Sequence, residues 1–238
     1  MGRLYESLGR LLAWGQSESG LLLSTEEAEV KLTVYSDSVI RVYIERTENE
    51  PRELPYAVVA DPEQTKFEVE ETEDILVLRT GKIKVLISRK PLRISFCDLE
   101  GNFLNEDDCA LGLGWIGDTV VTYKALKEDE KFIGLGEKTG PLNRRGNAYT
   151  HWNTDYFAYP TDADPLYCST PFYMGIHENG HYGIFLNNSH RSVFNFGASN
   201  DRFSSIQVEG GPLDYFFFHN DSVADMVNDY SWLTGRIE

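Results

Sequence analysis

Short segments with an apolar residue at every second position recur at intervals of about ten residues, and this pattern limits the fold most strongly. The first pair of such segments lies at residues 30–34 and 40–44, and the turn Ser36-Asp37-Ser38 separates them. Successive side chains of a strand point to opposite faces, so this pair predicts a hairpin with one buried face. Short alternating strands are typical of an antiparallel sandwich or barrel.

Similar segments continue over most of the chain. They lie at 67–69, 76–78, 83–87, 92–96, 120–123, 172–176, 182–186, 193–196, 203–208 and 214–219. Asn179-Gly180, between two of them, is a strong hairpin signal. No strand–helix–strand alternation occurs in the first half, which argues against a parallel α/β sheet. We therefore predict an all-β protein built as an antiparallel β-sandwich.

Helical spacing is found only near the C-terminal end. Asp221 or Ser222 can serve as the N-cap, and Gly235 stands where a C-terminal cap belongs. The apolar residues between them are Val223, Met226, Val227, Tyr230 and Leu233. We expect residues 1–220 to form the β-sandwich and residues 221–238 to form a short helix and a linker.

Charge and composition narrow the function. Lys and Arg number 22 against 38 Asp and Glu, which gives a formal net charge of −16. This charge argues against nucleic acid and anionic membranes as partners and favours a neutral one. No signal peptide and no apolar run of roughly 18 residues is found, and three cysteines without a repeating spacing favour neither disulfides nor a metal site. We expect a cytoplasmic protein.

Several potential sites are better explained structurally. Gly134–Thr139 has neither the spacing of a phosphate loop nor a following helix. His177 and His181 would lie on opposite arms of the Asn-Gly hairpin, and Cys168 and Ser169 have no partnered base nearby in the sequence. The charged run 124–131 is interpreted as a solvated loop or edge. No metal and no cofactor are therefore expected.

The aromatic segment from Trp152 to Pro160 is the strongest candidate for a functional loop. It follows a strand-like stretch and includes Asp155 among several Tyr and Phe residues. Long aromatic loops on β scaffolds are commonly functional, since they supply stacking faces and hydrogen-bonding groups. The alternative, that the loop only closes one end of the sandwich, remains open at this point.

Five motifs together resemble a known family. They are Phe132–Lys138, Arg144–Gly146, Trp152–Asp155, Asp164–Tyr167 and Gly183–Asn188. In this combination they resemble the N-terminal domain of glycoside hydrolase family 31, which includes α-glucosidases and α-xylosidases. The resemblance is dense from about residue 130 onwards and rests on the general strand pattern before that.

The resemblance implies a galactose mutarotase-like β-sandwich placed ahead of a (β/α)₈ catalytic barrel. In the family, hydrolysis is retaining, with one barrel Asp as nucleophile and a second as general acid/base. The family's Trp-x-Asp-Met-Asn type of nucleophile motif is absent from this chain. We therefore expect no catalytic residue here and no hydrolysis by this chain alone, and we expect its partner to be the missing barrel.

The resemblance also implies where a sugar binds. In family members the loop after this Trp-Asn-x-Asp motif reaches over the barrel mouth, and an acidic residue bonds hydroxyls of the terminal sugar. The matching residue is Asp155, with Tyr156 and Phe157 as further substrate-binding candidates for an α-linked oligosaccharide. Four residues are interpreted as scaffold: Gly134 and Gly136 allow a tight backbone, and Glu137 and Arg145 form a charged pair that braces the base of the loop.

Two other functions remain as alternatives. A free-standing carbohydrate-binding module would bind sugar by itself, and an aldose mutarotase would need a His acid and a Glu base, for which the scattered histidines provide no local motif. The sequence leaves open which α-glycoside is used. We expect an exposed apolar face where the missing barrel should dock, around the terminal helix. Because such a face can drive artificial dimers, a homo-oligomer also remains open.

Overall fold

The computed structural model describes residues 5–47 and 57–236, which form nineteen strands and one helix. The strands are β1 Tyr5–Ser7, β2 Leu11–Ser17, β3 Gly20–Thr25, β4 Ala28–Ser36, β5 Val39–Arg46, β6 Glu68–Glu71, β7 Ile75–Arg79, β8 Lys84–Arg89, β9 Leu92–Cys97, β10 Phe103–Glu106, β11 Leu113–Ile116, β12 Thr119–Ala125, β13 Lys131–Gly136, β14 Ala148–His151, β15 Ser169–His177, β16 Gly180–Leu186, β17 Ser192–Asn195, β18 Phe203–Val208 and β19 Leu213–Phe218. The helix is α1, Val223–Thr234. Residues 237–238 of the expected linker lie outside the described ranges.

The strands form three antiparallel sheets. The largest has eight strands in the order β13-β15-β16-β19-β5-β4-β3-β2. A six-stranded sheet runs β1-β11-β12-β18-β17-β14, and a five-stranded sheet runs β10-β9-β8-β7-β6. Neighbouring strands pair antiparallel throughout. Short connections join the consecutive pairs β15-β16, β4-β5 and β8-β9 as hairpins. The prediction of an all-β, antiparallel sandwich with one short C-terminal helix is confirmed.

Both smaller sheets pack against the same face of the large sheet. Phe96 of the five-stranded sheet stacks on Phe217 of the large one, with ring centroids 3.8 Å apart. Phe194 of the six-stranded sheet meets Tyr173 of the large one edge to face at 5.9 Å. All four rings are almost fully buried in one hydrophobic cluster. Burying such a side chain contributes about 1.5–3 kcal/mol, so this interface holds the layers together.

The first predicted hairpin shows why the alternating pattern was informative. In β4 and β5, Val30 lies opposite Ile44 and Leu32 lies opposite Val42. All four side chains are at most 1% exposed and belong to the same hydrophobic cluster. The alternation therefore marks the strand face that is turned towards the smaller sheets.

The opposite face of the large sheet is covered in part by α1. Successive residues of β19 alternate between the two faces, and Phe216 and Phe218 belong to a second cluster with Met226 and Leu233 of the helix. Ser222 caps the helix by accepting a hydrogen bond from the Asp225 backbone N–H. The single described helix is too short to cross a membrane.

The interpretation of residues 124–131 as solvated is wrong at two positions. Lys124 belongs to β12 and is buried, with Nζ 2.7 Å from Oδ1 of the buried Asp107. Glu130 is also buried and accepts a hydrogen bond of 2.7 Å from the Tyr182 hydroxyl. Charged groups are buried where such partners exist, and the partners come from distant parts of the chain.

The glycines of the Gly-Leu-Gly segment are required by the backbone. Gly134 has φ +128°, and a Cβ placed on it would lie 2.5 Å from the carbonyl oxygen of Phe172. Gly136 has φ +71° at the point where the pairing of β13 with β15 shifts register. Both positions favour glycine because other residues rarely adopt such φ angles, which agrees with the scaffold role predicted for them.

Candidate functional site

An aromatic loop, defined here as residues 152–168, connects β14 to β15 and so passes from the six-stranded sheet to the large sheet. Its aromatic side chains face solvent, and Phe157 is 90% exposed. The other exposed aromatic residues of this loop are Trp152, Tyr156, Tyr159 and Tyr167. Exposed aromatic side chains concentrated on one loop are typical of a binding surface.

The two ends of the aromatic loop are tied to each other. The Asn153 side-chain Oδ1 accepts a 2.9 Å hydrogen bond from the Ser169 backbone N–H. The Thr154 backbone N–H donates to the Leu166 carbonyl oxygen, also at 2.9 Å. These contacts hold the loop narrow at its base, although its tip contributes little to the hydrophobic core.

The aromatic loop is also tied to the segment that follows β13, the strand at one edge of the large sheet. Lys138, just after β13, has Nζ 2.7 Å from Asp164 Oδ1. The Thr150 backbone N–H donates to the other carboxylate oxygen of Asp164, and the Thr139 hydroxyl donates to the Ala163 carbonyl at 2.9 Å. The carboxylate of Asp164 is therefore a structural fastener and is not available to a ligand.

Contacts within the aromatic loop shape its tip. The Tyr167 hydroxyl donates a 2.6 Å hydrogen bond to the Tyr156 carbonyl oxygen. The rings of Tyr159 and Tyr167 meet edge to face, with centroids 6.0 Å apart. Desolvation, and to a smaller extent the charge of Asp155, raises the pKa of Tyr167 above its usual value.

The structure places all three sequence-predicted substrate-binding residues together at this tip. Asp155, Tyr156 and Phe157 are consecutive and exposed. Within the described part of the chain, Asp155 forms no ion pair. An exposed carboxylate on a loop with aromatic side chains can accept two hydrogen bonds from neighbouring hydroxyls of a ligand, and charge-assisted bonds are the stronger kind.

The scaffold role expected for Glu137 and Arg145 has to be corrected. Glu137 is exposed, and the ion pairs of the described residues do not include one with Arg145. Arg145 instead donates to the carbonyl oxygens of Lys127 at 2.6 Å and Glu130 at 2.8 Å, away from the loop base. The neighbouring residues Lys138 and Arg144 take the bracing role.

Arg144 is buried next to residues 138–141, which follow β13. Its Nη1 donates to the carbonyl oxygens of Thr139 at 2.8 Å and Pro141 at 2.9 Å, and its guanidinium lies 5.2 Å from the Tyr149 ring centroid. The planar guanidinium suits several carbonyl acceptors at once. In the sequence the two adjacent arginines are equivalent, and only the fold distinguishes them.

A cleft of about 480 Å³ lies beside the base of the aromatic loop, between the ends of β14 and β16 and helix α1. Three buried polar groups at its wall have no hydrogen-bond partner among the described residues: both ring nitrogens of His151, Oγ of Ser169 and Oδ1 of Asn187. Burial, and to a smaller extent Lys138, lowers the pKa of His151 to about 3. Sequence reasoning missed this cleft because its walls come from three separate strand ends.

The histidines of the central hairpin are not a ligand pair. His177 on β15 lies opposite Gly180, and His181 on β16 lies opposite Ile176, so they stand on different arms. His177 Nε2 is 2.9 Å from the Leu104 carbonyl oxygen. In residues 5–47 and 57–236, no group of three or more His, Cys, Asp or Glu side chains is placed to hold a metal ion.

Comparison with known proteins identifies relatives that match most of this chain. The chain is 30% identical over 232 residues to alpha-glucosidase 2 of Bacillus thermoamyloliquefaciens, covering 97% of this chain and 29% of that protein. It is 28% identical over 218 residues to the alpha-xylosidase XylQ of Lactiplantibacillus pentosus, covering 88% of this chain and 27% of that protein. The chain thus spans less than a third of these curated relatives.

A solved structure shares the fold closely. The GH31 dextranase of Flavobacterium johnsoniae, complexed with isomaltotriose, superposes with a TM-score of 0.91 at 29% identity, over 97% of this chain and 28% of that one. The family model for the glycosyl hydrolase 31 N-terminal galactose mutarotase-like domain matches residues 29–195. The expected family resemblance is confirmed, and the chain belongs to the glycosyl hydrolase 31 N-terminal galactose mutarotase-like domain family.

Proposed function

We propose that this chain is the non-catalytic N-terminal β-sandwich of a retaining, exo-acting α-glycosidase, and that its aromatic loop supplies part of the sugar-binding pocket. The observation that carries the proposal is the exposed Asp155 carboxylate, set among aromatic side chains on a loop fastened at its base. Such a loop contributes little to the core of the sandwich, and its fastened base positions the tip to contact a ligand outside the sandwich.

The substrate class follows from the relatives and from the charge of the chain. The similar proteins are an alpha-glucosidase, an alpha-xylosidase and a dextranase solved with isomaltotriose. A neutral saccharide is compatible with a chain whose net charge is −16, whereas an anionic ligand would be repelled. We therefore propose an α-linked oligosaccharide as the ligand.

Each loop residue has a distinct proposed role. Asp155 accepts hydrogen bonds from two hydroxyls of a sugar ring and so fixes the orientation of that ring. Tyr156 and Phe157 lie next to it and offer apolar faces to the neighbouring sugar of the oligosaccharide. The hydrogen bond from Tyr167 to the Tyr156 carbonyl holds this part of the loop in place.

Catalysis is assigned to another domain of the same protein. The sequence contains no Trp-x-Asp-Met-Asn type motif, so the nucleophile and the acid/base are expected in a following barrel. This chain alone is accordingly proposed to be inactive. We also propose a cytoplasmic location, with which the three free cysteines are compatible.

The test is to change Asp155 in the full-length protein. Asp155→Ala removes hydrogen bonds to a charged acceptor, each contributing about 1.5–3 kcal/mol, and kcat/KM on isomaltose- and maltose-type substrates should fall roughly 10- to 100-fold. Asp162→Ala is the matched control, because Asp162 is an exposed carboxylate on the same loop. If Asp155→Ala keeps the wild-type kcat/KM, the assignment of this site fails.

A further inference from the structure

The cleft beside the loop base contains more hydrogen-bonding capacity than the described residues use. His151 is 5% exposed and Asn187 is 3% exposed, yet both nitrogens of the first and Oδ1 of the second have no hydrogen-bond partner among the described residues. Ser169 Oγ, in the wall of the same cleft, has none either. Buried polar groups in folded proteins are almost always paired, so three such groups at one cleft indicate that something outside the described residues completes them.

Asn187 is held in a fixed orientation. Its Nδ2 donates a 2.6 Å hydrogen bond to Oδ2 of Asp214, a carboxylate that is fully buried. Asp214 is in turn held by two 2.8 Å hydrogen bonds from Arg41. Because this network occupies the amide nitrogen, Oδ1 of Asn187 is the atom left to accept a bond from an incoming group.

The wall of the cleft is uncharged, which defines the chemistry of its occupant. Among the described residues that line it there is no Asp, Glu, Lys or Arg, in a chain whose net charge is −16. The buried imidazole of His151 is neutral at ordinary pH and so offers one donor and one acceptor. Phe185 and Tyr230 add apolar surface. An uncharged group with both donors and acceptors, such as a peptide backbone, an amide or a hydroxyl, fits this wall.

We propose that the cleft is a docking socket for an uncharged polar segment of the catalytic domain, which pairs with His151, Ser169 and Asn187. This inference rests on the proposed function, since it requires the longer parent protein. Two observations favour this occupant over a free ligand. Over two thirds of each relative's length lies outside the matched region, and the family domain is N-terminal within those proteins.

The position of the cleft supports the same occupant. Tyr230 of α1 forms part of the wall, so the cleft lies against the only helix among the described residues. Trp152 and Asn153 of the aromatic loop form another part. The catalytic domain, which the loop tip is proposed to reach over, is therefore adjacent to the cleft as well. Docking at the cleft would fix the distance between the aromatic loop and the catalytic residues.

The test compares the direction of the Tm change in the 238-residue chain with its direction in the full-length protein. In the 238-residue chain an unpaired buried group is unfavourable, so Ser169→Ala and His151→Phe should leave the Tm unchanged or raise it by roughly 2–6 °C. In the full-length protein the same groups are paired, and the same substitutions should lower the Tm of the sandwich by a similar amount. Both proteins are followed by calorimetry at pH 7.5.

Thr122→Val is the matched control. Thr122 Oγ1 is also buried without a partner in the described part of the chain, but it lies within the six-stranded sheet at 0% exposure, where no other domain can reach it. Its substitution should shift the Tm in the same direction in both proteins. A reversal of sign seen for Ser169 and His151 but not for Thr122 supports the socket.

Three results would overturn the proposal. The first is that Ser169→Ala and His151→Phe shift the Tm in the same direction in both proteins. The second is destabilisation already in the 238-residue chain, which would place the partner inside that chain. The third is a Tm increase of that chain on adding isomaltotriose, lost in His151→Phe, which would identify a saccharide as the occupant. The Asp155→Ala kinetics are independent of all three. The proposed function can therefore stand where the socket fails, and the socket can stand where only the assignment of Asp155 to the sugar site fails.

Discussion

Lys138 Nζ lies 2.7 Å from Asp164 Oδ1, and this contact joins the end of β13 to the far arm of the aromatic loop, 26 residues away. The Lys138 side chain is completely buried and the Asp164 side chain is 20% exposed. A buried ammonium group without its carboxylate is strongly unfavourable. The pair therefore fastens the loop to the sandwich.

Asp164→Ala should destabilise the protein by about 3 kcal/mol, because it leaves the Lys138 charge without its counter-ion. Urea unfolding measures this loss. Hydrogen exchange should also become faster within residues 152–168, since the backbone bond from Thr150 to Asp164 is lost as well. Asp162→Ala, an exposed neighbour, should change neither quantity. Unchanged exchange in Asp164→Ala would contradict the fastening role.

A second prediction concerns the buried pair of Lys124 and Asp107. Burial disfavours the charged form of Lys124, but Asp107 and Tyr215 outweigh burial and raise its pKa, so the lysine stays charged. Lys124→Met should cost about 3–5 kcal/mol in urea unfolding, because the Asp107 carboxylate stays buried without its partner. Lys131→Met, in the same charged run but exposed, should cost less than about 0.5 kcal/mol. Equal costs for both would refute the buried pair.

A third prediction concerns pH. Burial lowers the folded-state pKa of His151 to about 3 from 6.5, so the unfolded chain binds a proton in this window and the folded chain does not. Stability from this residue is fully present above pH 6.5 and is lost as the pH falls from 6.5 towards 3, at about 1 kcal/mol per pH unit.

His151→Phe cannot take up this proton, which isolates the effect from other titrating groups. Its free energy of unfolding relative to the wild type should be constant above pH 7 and should rise steadily as the pH is lowered towards 4. Urea unfolding of both proteins at several pH values measures the difference. A difference that does not vary with pH would show that His151 titrates normally in the folded state.

A fourth prediction separates binding from folding at Phe157. This side chain is 90% exposed, so Phe157→Ala should change the free energy of unfolding by less than about 0.5 kcal/mol. Loss of an aromatic face against a sugar is expected to cost about 1 kcal/mol, a roughly fivefold drop in kcat/KM of the full-length protein on an oligosaccharide. Leu142→Ala, 72% exposed on another loop, should alter neither value. Wild-type kinetics for Phe157→Ala would remove it from the site.

The strand pattern was predictable where one face of a strand is buried. In β4 and β5 every second residue enters the core, and the alternation in the sequence reflects this directly. The first three strands were not predicted. In β2, at the edge of the large sheet, no residue is buried, and Leu12 is 56% exposed, so the alternation that marks a buried face is missing.

The aromatic loop was recognisable because its residues are contiguous in the sequence. The groups that fasten it were harder to predict. The sequence does not show that Lys138 and Arg144, rather than Glu137 and Arg145, have the bracing role, because the partners are backbone carbonyls and a distant carboxylate. His151, Ser169 and Asn187 likewise meet at one cleft only after three strand ends are brought together. Local patterns cannot report such long-range contacts.

The fasteners of the aromatic loop lie at its base and do not involve the side chains of residues 155–159. The tip can therefore be exchanged for that of a relative while the anchoring residues Asn153 and Asp164 are kept, without refolding the sandwich. The scaffold thus works as a stable stem onto which different tips can be grafted, and new ligand preferences can evolve or be engineered there at little cost to the fold.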